Sequence, residues 1–156
     1  MAEPTLTAGL LAILDNQMAR TAAALEDLPD AAFAASPGGD CNAIRLIGVH
    51  LLRLRQFQLE LLGRADLGGR IDISHADETA TELLSRLTEA GAIVRQAIMG
   101  HDSNDWLAEP TTPRPGPWGE EPTLSRVVRP INDFTNHLGG IRAIRRILAC
   151  PAKRTQ

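Results

Sequence analysis

The sequence predicts an all-α protein, one four-helix bundle spanning residues 1–156, and three observations carry that expectation. Hydrophobic residues make up 44% of the chain but aromatic ones only 3%, so a core must be built from Leu, Ile, Ala and Val. Ala and Leu favour helix, while the strand-favouring Val, Thr and aromatic residues occur only in short clusters. Apolar residues recur at steps of three and four along four separate segments, the period of a helix face, and no segment alternates as a strand does. Finally, 156 residues supply one good core but would leave two thin ones.

The first helix is expected over about 5–28, capped by Thr5, with Leu11, Leu14, Met18, Thr21, Leu25 and Leu28 along one face and Pro29 as its stop. A short turn or helix over Asp30–Ala35 leads into the loop Ser36-Pro37-Gly38-Gly39-Asp40. The second helix, 42–62, has the seam Ile47, His50, Leu54, Phe57, Leu61 in four-three alternation and ends at Gly63. The third, 75–99, is expected to begin at a Ser74–Asp77 capping signal, and its apolar line reads Ala80, Leu84, Leu87, Gly91, Val94, Ile98. Glu82 and Arg86 on its outer face are spaced as an i,i+4 ion pair.

The stretch 101–122 is too rich in proline for a helix, holding five, and it contains both tryptophans, Trp106 and Trp118. Large apolar surfaces find something to cover, so these rings either plug the end of the bundle or wall a ligand pocket under a lid. The fourth helix, 123–149, is expected to be capped by Thr123 and disturbed at Pro130. Beside its apolar line, Asp133 and His137 stand one turn apart and point the same way.

Charge and cysteine content narrow the classes. Nineteen acidic against sixteen basic residues leave a net charge of −3, which gives no reason to expect a nucleic-acid partner. Cys41 and Cys150 match no metal or redox spacing, and the Met1–Arg20 segment is interrupted by Asp15, Asn16 and Gln17. A cytoplasmic protein with no membrane partner is the expectation. His75 and His101 are expected at the surface. The basic C-terminal residues Arg142, Arg145 and Arg146 suit the negative end of a helix dipole.

Three titratable side chains, His50, Asp133 and His137, lie on or beside faces expected to be buried. Each alone has an ordinary explanation, as a satisfied core histidine, a carboxylate paired with Arg129 or a boundary residue. Together they are harder to bury, since a polar group without a partner costs roughly 2–7 kcal/mol. A divalent cation satisfies all three, and a ligand pair at i,i+4 on one helix with a third from a facing helix is how bundles build metal sites. Two imidazoles and one carboxylate leave coordination positions open.

The run Cys41-Asn42-Ala43-Ile44-Arg45-Leu46-Ile47-Gly48-Val49-His50-Leu51 resembles the second helix of the DinB/YfiT-like proteins. The segment Asp133-Phe134-Thr135-Asn136-His137-Leu138-Gly139-Gly140-Ile141 is similar to their last helix. The resemblance implies a four-helix bundle holding a divalent metal (Zn, Ni, Mn or Fe) through His50, Asp133 and His137. It further implies a homodimer acting on a small molecule with a low-molecular-weight thiol, as bacillithiol transferases and mycothiol-dependent maleylpyruvate isomerase do. In those enzymes the metal lowers the thiol pKa. This chain has Asp133 where most relatives have His, and Gly140 where Gln is usual. Three readings therefore stand: a metal-dependent thiol S-transferase or isomerase, a bundle with a structural or sensing metal, and a metal-free dimerising bundle.

Overall fold

The computed structural model describes residues 5–39, 41–74, 79–101, 105–108 and 122–149, and among these residues every regular element is a helix. The long helices are α1 (Leu6–Leu25), α3 (Ile44–Leu61), α5 (Ala80–Met99) and α6 (Thr123–Ala149), with short helices α2 (Asp30–Ala34) and α4 (Ala65–Gly68) between them. No helix among the described residues is long and apolar enough to cross a membrane.

Local chemistry sets the helix ends. The Thr5 hydroxyl accepts from the Ala8 N–H at 3.1 Å, as expected of a cap. At its other end α1 stops at Leu25, short of the expected Leu28, because Asp27 turns into the left-handed region at φ 54°. Pro29 opens α2 instead of closing α1. Arg145 of α6 donates to the carbonyls of Ala24 and Glu26, at 3.2 and 2.8 Å, and so serves the orphaned end of α1. Gly63, at φ 70°, closes α3 and lets the Arg64 N–H reach back to the Leu59 carbonyl at 2.7 Å.

The cap of α5 is Thr79, not Ser74. The Thr79 hydroxyl accepts from the Glu82 N–H, and the Glu82 carboxylate accepts from the Thr79 N–H at 2.7 Å, a reciprocal capping box. That occupies Glu82, and Arg86 turns to Asp72, with Nη2 3.6 Å from Oδ1, in place of the i,i+4 pair. The start of α6 at Thr123 is as expected, but Thr123 is not its cap: the Pro122 carbonyl accepts from Arg126, so Thr123 is already inside the first turn and buried.

In the packing, α3 lies against both α5 and α6, and α1 against the same two helices. Trp106, in a 3-10 turn over Asp105–Leu107, is wholly buried, and its indole N–H donates to the Thr7 hydroxyl at 2.9 Å. Trp106 therefore belongs to the core at the end of α1; Trp118 lies outside the described residues. His101 is half-buried against the Trp106 ring at 4.2 Å, contrary to the surface position expected of it, and His75 lies outside the described residues. Cys41 is exposed and unpaired.

Two glycines let helices approach closely. A Cβ on Gly48 would stand 2.1 Å from a methyl of the fully buried Leu83, so α3 and α5 touch where Gly48 leaves room. On Gly91 it would meet the Met18 sulfur at 2.8 Å, whereas on Gly139 it would meet nothing. Alanine is favoured over glycine in a helix by about 1 kcal/mol, and overpacking costs about 1–3 kcal/mol. Urea unfolding is expected to show Gly48→Ala clearly destabilised and Gly139→Ala slightly stabilised. Gly91→Ala should fall between them, because the flexible Met18 thioether can give way.

Candidate functional site

The structure brings His50 of α3 and His137 of α6 together. Their ring centroids are 4.4 Å apart and the rings meet edge to face at 72°. Asp133, one helical turn before His137, is near enough for its charge to act on His50. The sequence leads one to expect all three donors to converge on one ion; the structure brings the two imidazole rings into contact, with Asp133 within electrostatic range.

Their surroundings differ from expectation. His50 and Asp133 are exposed and His137 is half-buried. The seam assigned to α3 is not the centre of its buried face: His50 is exposed and Phe57 is 38% exposed, whereas Ile44, Leu51, Leu52, Arg55 and Leu59 are buried. At about 3.6 residues per turn the buried arc centres on Arg55, and the expected seam lies roughly 120° round the helix from it. The reason is that α3 packs against two long helices at once, so its buried arc is wide and His50 falls on its rim.

The rim position still alters the chemistry of His50. Partial burial holds its imidazole below the usual 6.5, and the neighbouring His137 and then Arg53 push the same way. Asp133 opposes them by stabilising the protonated ring. Burial and like charge prevail, which keeps His50 neutral near pH 7, the form with a nitrogen lone pair to offer.

Asp133 also lines a cleft of about 250 Å³ between α3 and α6. Phe57, Leu61 and Pro130 form its apolar wall, and Arg126, Arg129, Asn132 and Asp133 supply its polar side. A small organic molecule seated there would lie between an apolar surface and a polar one, beside the residue whose charge acts on His50. Most of the stretch expected to form a lid, residues 109–121, lies outside the described residues.

What sequence reasoning missed is the support behind the site. Arg55 is buried at 1% exposure and its guanidinium lies 4.0 Å over the Phe134 ring. It donates to the amide oxygens of Gln58 and Gln17, at 2.8 and 3.2 Å. The Gln17 amide in turn donates to the Ile131 carbonyl at 2.7 Å and the Thr135 hydroxyl at 3.2 Å. These contacts tie α1 and α3 to residues 131–135 of α6, the turn that carries Asp133 and precedes His137. The available signal was spacing: Arg55 continues the series Ile44, Gly48, Leu51, Leu59 at steps of three and four, a place where a charge is unusual.

Among the described residues no group of three or more His, Cys, Asp or Glu side chains is gathered closely enough to hold a metal ion. The expected set thus contains an assembled imidazole pair with a carboxylate in electrostatic range. No protein-family model matches the chain, and no curated protein matches it.

An NMR titration of metal-free protein is expected to place the His50 pKa below 6.5. Asp133→Asn should lower it further and His137→Gln should bring it back up, since each removes one of the influences above. The sign for stability follows: with the folded pKa depressed, the unfolded chain binds more protons as pH falls below about 6.5. Melting temperature should therefore decline on acidification through the folded pKa of His50, and His50→Gln should flatten that decline.

Proposed function

We propose that the chain is a divalent-metal-dependent enzyme, built on a DinB/YfiT-like four-helix bundle and acting in the cytoplasm on a small molecule with a low-molecular-weight thiol. The observation that carries this reading is the edge-to-face contact of His50 and His137, offered by two different helices beside a cleft. The donor set suits a divalent cation in kind: two imidazoles, one of them kept neutral by its surroundings, and a carboxylate one turn away. His50 and His137 are the residues that would hold the ion, with Asp133 as third ligand. When bound, the ion would supply a Lewis acid that lowers the pKa of a thiol or water.

The protein's own groups have separate tasks in this reading. Phe57 and Pro130 hold the apolar part of the acceptor, and the polar side of the cleft, formed by Arg126, Arg129, Asn132 and Asp133, meets its polar part. The Arg55–Gln17 network keeps Asp133 and His137 on the rim facing His50. A non-catalytic, dimerising bundle is the second reading, favoured by the lack of a three-donor cluster among the described residues.

Elemental analysis of protein purified without an affinity tag tests the first reading. It is expected to find Zn, Ni, Mn or Fe near stoichiometry. Added metal should raise the melting temperature at pH 7.5, because the ion binds the folded state, and that gain should disappear towards pH 5 as the imidazoles protonate. His137→Ala should abolish the gain and the turnover of a thiol with an electrophile, while His101→Ala should keep the gain. Absence of bound metal together with no shift at pH 7.5 would favour the non-catalytic bundle.

A further inference from the structure

Arg55 is a buried cation, and among the described residues no acid balances it. Its contacts are two amide oxygens and the Phe134 ring. Burial alone lowers its pKa, to about 9, so the guanidinium remains charged at neutral pH. Its Nε–H is buried with no hydrogen-bond partner, and so is the amide nitrogen of Gln58, which is bonded to Arg55 through its oxygen. Both orphaned atoms are donors. Buried donors are ordinarily matched by an acceptor, and a buried charge by an opposite one.

A cavity of about 10 Å³ opens beside this group, lined by Met18, Thr21, Arg55, Leu87, Thr88 and Phe134. Those six side chains come from all four long helices. The space is that of one water-sized particle. Its mouth lies at the exposed Thr88, and the space within is too small for a whole phosphate or sulfate. The hydroxyls of Thr21 and Thr88 donate to the carbonyls of Gln17 and Leu84 in their own helices, and each can turn its proton towards a guest. A water accepts hydrogen bonds but leaves the positive charge unbalanced; a single-atom anion does both.

We propose that this chamber is a binding site for one halide ion, chloride in the cell, held by the Arg55 guanidinium at the meeting point of α1, α3, α5 and α6. The ion neutralises the core cation and bridges the helices, so its binding stabilises the folded state as a whole. It lies apart from the His50–His137 pair and does not depend on any metal there.

The deciding measurement is a bromide soak of wild-type crystals with data collected at the bromine edge. An anomalous peak within hydrogen-bond distance of Arg55 is expected; peaks only elsewhere, or none, mean an ordered water only and overturn the proposal. In solution, the melting temperature should rise saturably with sodium chloride or bromide, by about 5 °C, over sodium gluconate at equal ionic strength. Arg55→Met should lose that halide-specific rise whatever its own baseline, and a folded variant that retained the rise would also overturn the proposal. Should Arg55→Met fail to fold, the wild-type anomalous map decides alone.

Discussion

The structure depends on one charged side chain placed where a leucine would be ordinary. Arg55 lies at the middle of the buried arc of α3, and desolvating a guanidinium there is unfavourable unless its donors and charge are met. Gln17 and Gln58 meet part of that demand, and Phe134 adds its ring face. These partners have little freedom: each must sit at one height and one rotation on its helix for the contacts to close. Apolar packing alone would tolerate sliding of α6 against α3; this polar centre restricts it.

That restriction reaches the rim. The Ile131 carbonyl accepts from both the Gln17 amide and the Thr135 hydroxyl, at 2.7 and 3.0 Å. It does so one residue beyond Pro130, which has no N–H to give to the helix ladder. The α6 backbone beside this proline is thus held from outside by α1. Asp133 and His137 follow within two turns, so their approach to His50 is set by contacts on the opposite side of α6. The glycine at position 48 acts in the same sense on α3, letting it sit close to Leu83 of α5.

The rim also gives the histidine pair its chemical character. A fully buried pair would be desolvated beyond easy access, and a fully exposed one would titrate freely. His50 is covered enough to resist protonation and open enough to meet a ligand, beside a cleft with apolar and polar walls.

Much of this could be read from the sequence, because helix-forming composition and three-four periodicity are local properties. They determined the all-helical class, the four long helices, the Thr5 cap and the Gly63 stop; that the His50 and His137 rings meet was decided by how α3 packs on α6. Where boundaries moved, a competing local interaction prevailed: Thr79 and Glu82 formed the capping box that Ser74 and Asp77 were expected to supply, and Asp27 ended α1 ahead of Pro29. Which arc of α3 is buried was decided only by the tertiary structure, since a helix flanked by two partners buries the arc between them rather than the stripe with the cleanest heptad. For the same reason His50 came to the rim and Arg55 to the centre: periodicity specifies that a helix has faces, and only the neighbouring helices determine which face is inside.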